Sequence, residues 1–146
     1  MSDDKLILIT GDYAIFDVSS FSGLTFIPPP PPFVLSGTGK MKVNGQMICV
    51  EGDESKIQIP CGYNTQSSPQ PGAGILTIES LNSDQKAKKN KSGGKPVLLK
   101  GSKFKAKFTI NSPAINPQAG IPDPLASQGY KGQGEFNTNN NKVKGS

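Results

Sequence analysis

Apolar and polar positions alternate most regularly along Phe104-Lys105-Ala106-Lys107-Phe108-Thr109-Ile110, the period-two pattern of a strand with one buried face. The pattern stops at Ser112-Pro113. Upstream, two short arms flank Asn44-Gly45, the dipeptide that best accepts positive φ at both centres of a tight hairpin turn. The second arm ends at Gly52-Asp53, a further turn signal. Pro71-Gly72-Ala73-Gly74 leads into Ile75–Ile78, and Gly93-Gly94 leads into Pro96–Leu99. Residues 37–110 therefore predict four to six short strands with glycines at the corners. Nearer the N-terminus, Leu6–Thr10 and Tyr13–Val18 predict a strand pair around Gly11-Asp12, followed by Leu24–Ile27. Leu81–Lys91 fails as an amphipathic helix, because it offers no apolar face beyond Ala87 and runs into Gly93-Gly94. The fold class is all-β, built from short glycine-punctuated hairpins with ordered proline-rich loops and little or no helix.

Proline divides the chain. Pro28–Pro32 is an unbroken run without N–H donors, which predicts an extended polyproline rod. It reads as a stiff spacer anchored by Phe26, Ile27, Phe33, Val34 and Leu35, in preference to a ligand for an aromatic groove. Residues 1–35 thus form N-terminal strands plus a polyproline connection, and residues 36–146 the main part, together one compact unit. Pro113–Pro124 predicts an ordered covering loop. Gly132-Gln133-Gly134-Glu135-Phe136 suggests one last short strand, and the Asn run at 137–141 a turn or frayed end.

Composition narrows the chemistry. Hydrophobic residues make up 34%, against 17 glycines and 13 prolines, which suits many turns around a thin core. The net charge is +5, and every cation is a lysine, since Arg and His are both absent. Nine of the sixteen lysines lie between Lys86 and Lys107. They read as a solvated loop and an outer strand face. Contact with nucleic acid would want Arg forks and interleaved aromatics, so no nucleic-acid partner is expected. Without His the usual general base near neutral pH is missing, and neighbouring Asp53 and Glu54 would point to opposite faces of a strand. No catalytic residue and no cofactor is expected, and the chain does not read as an enzyme. Cys49 and Cys61 are the only thiol metal-ligand candidates, and both read as small buried hydrophobes, with a disulfide left open. The acidic start Met1–Lys5 and the short apolar run after it read as neither a signal peptide nor a lipid anchor, and no stretch approaches the ~20 apolar residues of a membrane span.

The ordered series Val43-x-Gly45, Gly52-Asp53-Glu54, Pro60-Cys61-x-Tyr63, Pro71-Gly72-x-Gly74, Leu98-Leu99-Lys100-Gly101-Ser102-x-Phe104, Pro113-Ala114 and Asp123-Pro124 resembles the spike-tip proteins of phage-tail-like contractile injection systems. More distantly it is similar to the PAAR-type cone that caps the type VI secretion spike. The resemblance covers residues 36–145. The chain departs from PAAR proteins in lacking a Pro-Ala-Ala-Arg motif and any His, so the zinc site near the apex of many such cones cannot be built in the usual way. The resemblance implies a small cone seated on a trimeric VgrG-like spike protein, one tip per trimer, sharpening it for puncture of a target envelope. It further implies effector or baseplate proteins as additional partners and transient contact with the target membrane. The protein would be made in the cytoplasm and delivered outside, or into a target cell, on firing. The dense apolar residues Leu6, Ile7, Leu8, Ile9, Phe26, Ile27, Phe33, Val34 and Leu35 are the candidates for docking on the spike. Asn44, Gly45, Gly52, Asp53, Gly72, Gly74 and Gly101 are the candidate structural turns. Two alternatives stand beside this reading: a small proline-rich interaction module, and a Lys-rich polyanion binder.

Overall fold

Segments with period-two patterning become strands whose partners lie far away in sequence. The computed structural model describes residues 5–138, 140 and 143–145. In chain order the strands are β1 (Tyr13–Asp17), β2 (Thr25–Ile27), β3 (Phe33–Val34), β4 (Lys42–Val43), β5 (Gln46–Met47), β6 (Ile59–Asn64) and β7 (Gly72–Ser80). They continue as β8 (Lys86–Ser92), β9 (Lys95–Leu98), β10 (Phe104–Ser112), β11 (Ile115–Asn116), β12 (Ile121–Pro122) and β13 (Tyr130–Asn137). Seven of them form one sheet in the order β2-β6-β7-β10-β13-β1-β3, and the other six pair as the hairpins β4–β5, β8–β9 and β11–β12. The helical elements are single 3-10 turns such as Val18–Ser20, Asp53–Lys56 and Ser83–Gln85. The fold is all-β.

The large sheet is antiparallel and curls around an aromatic core. Phe104, Ala106 and Phe108 point inward from β10, as the alternation predicts, and Tyr130, Gly134 and Phe136 do so from the adjoining β13. Phe26 on β2 stacks edge-on against Phe108 on β10 with ring centroids 5.0 Å apart, although β6 and β7 lie between their strands. In a flat sheet three strand spacings would separate them by about 14 Å. Phe16 meets Phe104 at 5.4 Å and Tyr63 meets Phe108 at 5.3 Å across the same interior.

The proline run accounts for the curl independently. It joins β2 to β3, and these are the two edges of the seven-stranded sheet. The six peptide units from Ile27 to Phe33 reach at most ~20 Å. The edges of a flat sheet of this size would stand about 29 Å apart. Only a curled sheet brings the edges within reach, and the strap then runs past both edges with a segment that cannot donate a ladder hydrogen bond. The spacer is thus a bridge between sheet edges, and β1, β2 and β3 share their sheet with strands from the C-terminal three quarters of the chain.

A second, smaller apolar cluster lies beneath the two hairpins β4–β5 and β8–β9. It contains Ile7, Ile9, Val43, Ile48, Ala87, Val97 and Leu99. Single bridges stitch it together: Ile7 to Leu99, Ile9 to Ile48 and Val50 to Val97.

Several expectations need correction. Leu6–Thr10 does not pair with Tyr13–Val18. Its residues bridge singly to Lys144, Leu99 and Ile48, while β1 pairs with β13 and β3. A continuous apolar run satisfies a buried connector threading between elements as well as it satisfies a strand. Between residues 37 and 110 there are seven strands, and β7 and β10 run nine residues each. The loop Pro113–Pro124 contains the β11–β12 hairpin. The last strand, β13, is eight residues long and central. Of the Asn run, Asn139 and Asn141 lie outside the described residues, whereas Asn140 is buried and donates from Nδ2 to the Ile7 carbonyl at 3.0 Å.

Candidate functional site

Asn44 and Gly45 form the predicted two-residue turn between β4 and β5, with φ of 53° and 79°. Gly52 and Gly101 also take positive φ, 105° and 57°. Asp53 begins a 3-10 turn, but its buried carboxylate is its main feature. It accepts hydrogen bonds from Val50 N at 2.9 Å, Thr38 N at 3.0 Å and Thr38 Oγ1 at 2.7 Å, tying the segment around Thr38 to the 50–53 turn. Gly72 and Gly74 are not turn residues. Both lie in β7 without positive φ, and a Cβ would come within 2.3 Å of Ser112 O at Gly72 and 2.3 Å of Thr109 O at Gly74. They are glycines because the neighbouring backbone passes too close for any side chain.

The docking candidates divide sharply. Ile7, Leu8, Ile9, Phe26 and Leu35 are buried in the two apolar clusters, and Leu6 is buried as well, so the folded chain leaves little of these side chains for a partner. Apolar density at these positions builds the core. Ile27 and Val34 are 43% and 53% exposed, and Phe33 is half-buried. Val34 sits opposite Tyr13, itself 38% exposed, in the β1–β3 register. Pro29 closes a shallow groove of about 160 Å³ with Val18, Leu24 and Phe26. The outcome is a narrow apolar strip that follows the proline strap from Ile27 across to Val34 and Tyr13.

Cys49 and Cys61 both lie in the main core and are free thiols. Burial among apolar groups pushes the Cys49 thiol up to about 12, and nearby Asp53 and Asp12 add to the shift. Burial raises Cys61 as well. Among the described residues no group of three or more His, Cys, Asp or Glu could hold a metal ion.

Sequence reasoning missed a further buried polar site. Asp123 Oδ2 accepts from Tyr63 Oη and from Tyr130 Oη, both at 2.8 Å, and Asp123 Oδ1 accepts from Leu125 N at 3.0 Å. Tyr63 Oη in turn accepts from Ala114 N at 3.1 Å. All three side chains are buried. Burial, reinforced by the Asp123 carboxylate, pushes the Tyr63 phenol up to about 12 and raises Tyr130 too. Both phenols stay protonated donors, so the node fastens the β11–β12 segment to β6 and β13. Asp12 does similar work near the other end, accepting from Ile9 N at 2.7 Å and Thr138 Oγ1 at 2.6 Å. Nothing local in the sequence marks these partners, which are up to 126 residues apart.

An open groove of about 690 Å³ is walled by Lys103, Lys105, Lys131 and Glu79, with Ser20 and Asn82. Lys131 Nζ lies 3.4 Å from Glu79 Oε2, so its carboxylate already has a cationic partner. No helix among the described residues is long and apolar enough to cross a membrane.

Comparison with known families gives a match to contractile injection system spike tip protein over residues 1–146. None of the curated proteins matches the chain.

Proposed function

The chain belongs to the contractile injection system spike tip family, and on that premise we propose that it is the passive tip that caps a trimeric VgrG-like spike, one copy per trimer, and narrows it for puncture of a target envelope. The match along the whole chain is the observation that carries the reading. The architecture suits the task. A tip must transmit compressive load without rearranging, and close-packed interiors are barely compressible. Here a curled sheet closes on interlocked Phe and Tyr rings, three buried carboxylates (Asp12, Asp53 and Asp123) fasten loops to it, and a proline bridge ties its edges. The role we assign is structural, with the work of penetration supplied by contraction elsewhere in the particle.

The seat on the spike would be the apolar strip along the strap, centred on Ile27, Val34 and Tyr13. Replacing Ile27 and Val34 together by Asp places charge on exposed side chains and leaves the core intact. The expected result is a normally folded protein that no longer co-purifies with a trimeric VgrG-like spike protein. Unimpaired co-purification of the double variant would remove the strip as the seat. Failure of the unaltered chain to bind any such spike would overturn capping itself.

A further inference from the structure

We propose that the paired hairpins β4–β5 and β8–β9 form a cationic pole that binds an anionic lipid bilayer surface.

The charge of this chain is distributed unevenly. Residues 40–47 and 86–98 hold seven of the sixteen lysines (40, 42, 86, 88, 89, 91 and 95) and none of the eleven acidic residues. The other nine lysines are outnumbered by those eleven carboxylates, so the whole positive excess resides in two short segments. The fold brings these segments together. Both hairpins rest on the second apolar cluster, and Lys40 N donates to Ser92 Oγ at 2.8 Å. Lys86 lies 3.2 Å from Glu51 Oε2. Lys40, Lys42, Lys88, Lys89, Lys91 and Lys95 are exposed, and none of the salt bridges among the described residues engages them.

Two further features select the partner. Met41 and Met47 stand 55% and 40% exposed among these lysines, with Met47 directly opposite Lys42 in the β4–β5 register. Flexible apolar side chains ringed by lysine suit a headgroup boundary, where the chains enter the acyl margin and the ammonium groups meet lipid phosphates. A folded acidic protein fits less well, because lysine is depleted in protein interfaces and lacks the arginine fork that grips carboxylates. Single-stranded nucleic acid fits less well too, because no aromatic side chain lies on either hairpin to stack a base.

The biological setting rests on the tip reading above, but the surface is tested on the isolated chain. The probes are phosphatidylcholine vesicles with and without about one third phosphatidylglycerol, at low and at physiological salt. Binding is expected to the anionic vesicles alone and to weaken as salt rises. At about fivefold per surface lysine, Lys88→Gln, Lys89→Gln and Lys91→Gln together should weaken it ~100-fold. The matched triple Lys103→Gln, Lys105→Gln and Lys107→Gln removes equal charge elsewhere and should cost far less. Met41→Ser with Met47→Ser should weaken vesicle binding at fixed charge. Equal binding to neutral and anionic vesicles would overturn the proposal, as would equal loss in both lysine triples or preferential binding to DNA. Loss of vesicle binding in a variant that still co-purifies with the spike would leave capping untouched.

Discussion

Asp123→Asn changes a single functional group and should be felt throughout the fold. In the unaltered chain one carboxylate, 4% exposed, receives three donors: two phenols at 2.8 Å and the Leu125 amide at 3.0 Å. An amide in the same place has one acceptor oxygen. If that oxygen keeps the phenols, the NH2 group opposes Leu125 N–H. If it turns to Leu125, the phenols face a donor. Either orientation forfeits at least one charge-assisted hydrogen bond, worth ~1.5–3 kcal/mol, and strands a buried donor at a cost of ~1–3 kcal/mol. We expect a net destabilisation of about 3 kcal/mol, less than the sum because the side chains relax. For a chain of this size that corresponds to a fall in Tm of roughly 10 °C. Urea unfolding at neutral pH should show a lower midpoint with an unchanged slope, the mark of lost stability without a change in compactness. Tyr63→Phe removes one donor to the same oxygen and leaves Ala114 N–H unpaired, so the two changes should be non-additive in a double-mutant cycle. A midpoint for Asp123→Asn within about 0.5 kcal/mol of the unaltered chain would show that the node does not fasten the loop.

Gly45→Val places a β-branched side chain at φ 79° and should cost more than ~1 kcal/mol; an unchanged Tm would mean the turn adopts another conformation. The Cys49 thiol, buried and pushed up to about 12, should resist a thiol reagent near neutral pH until the protein unfolds, and rapid native labelling would refute its placement. Cys49→Ala should cost about 1–2 kcal/mol in packing and leave metal content unchanged, as judged by elemental analysis. Alkaline pH should expose the tyrosine node. The unfolded phenol titrates near 10 and Tyr63 in the fold near 12, so the unfolded chain binds fewer protons between those values and stability should fall as pH rises from 10 to 12. A flat stability curve across that window would contradict the burial of the phenol.

Local features were legible in the sequence, and long-range ones were not. The β10 alternation and the Asn44-Gly45 turn are written in adjacent residues, because side-chain period and turn dihedrals are local properties. The pairing of β1 with β13 depends on residues more than a hundred positions apart, and nothing in either segment names its partner. Gly72 and Gly74 read as corners because a glycine needed for positive φ and one needed for close backbone approach look alike in sequence. The structure separates them through Ser112 and Thr109. The docking candidates misled for a related reason. Apolar density marks surface removed from water, and Leu8 in a core carries the same sequence signal as it would at an interface. Only the edge positions Ile27 and Val34, beside the proline strap, remain available. The lysine hairpins were visible as a charge run, but their convergence on one cluster required the fold.

The most direct test of the spike-tip reading is the mass of the complex formed with a trimeric VgrG-like spike protein, measured under native conditions. The account predicts one copy of this chain per spike trimer. Three copies per trimer, or no complex at all, would contradict it.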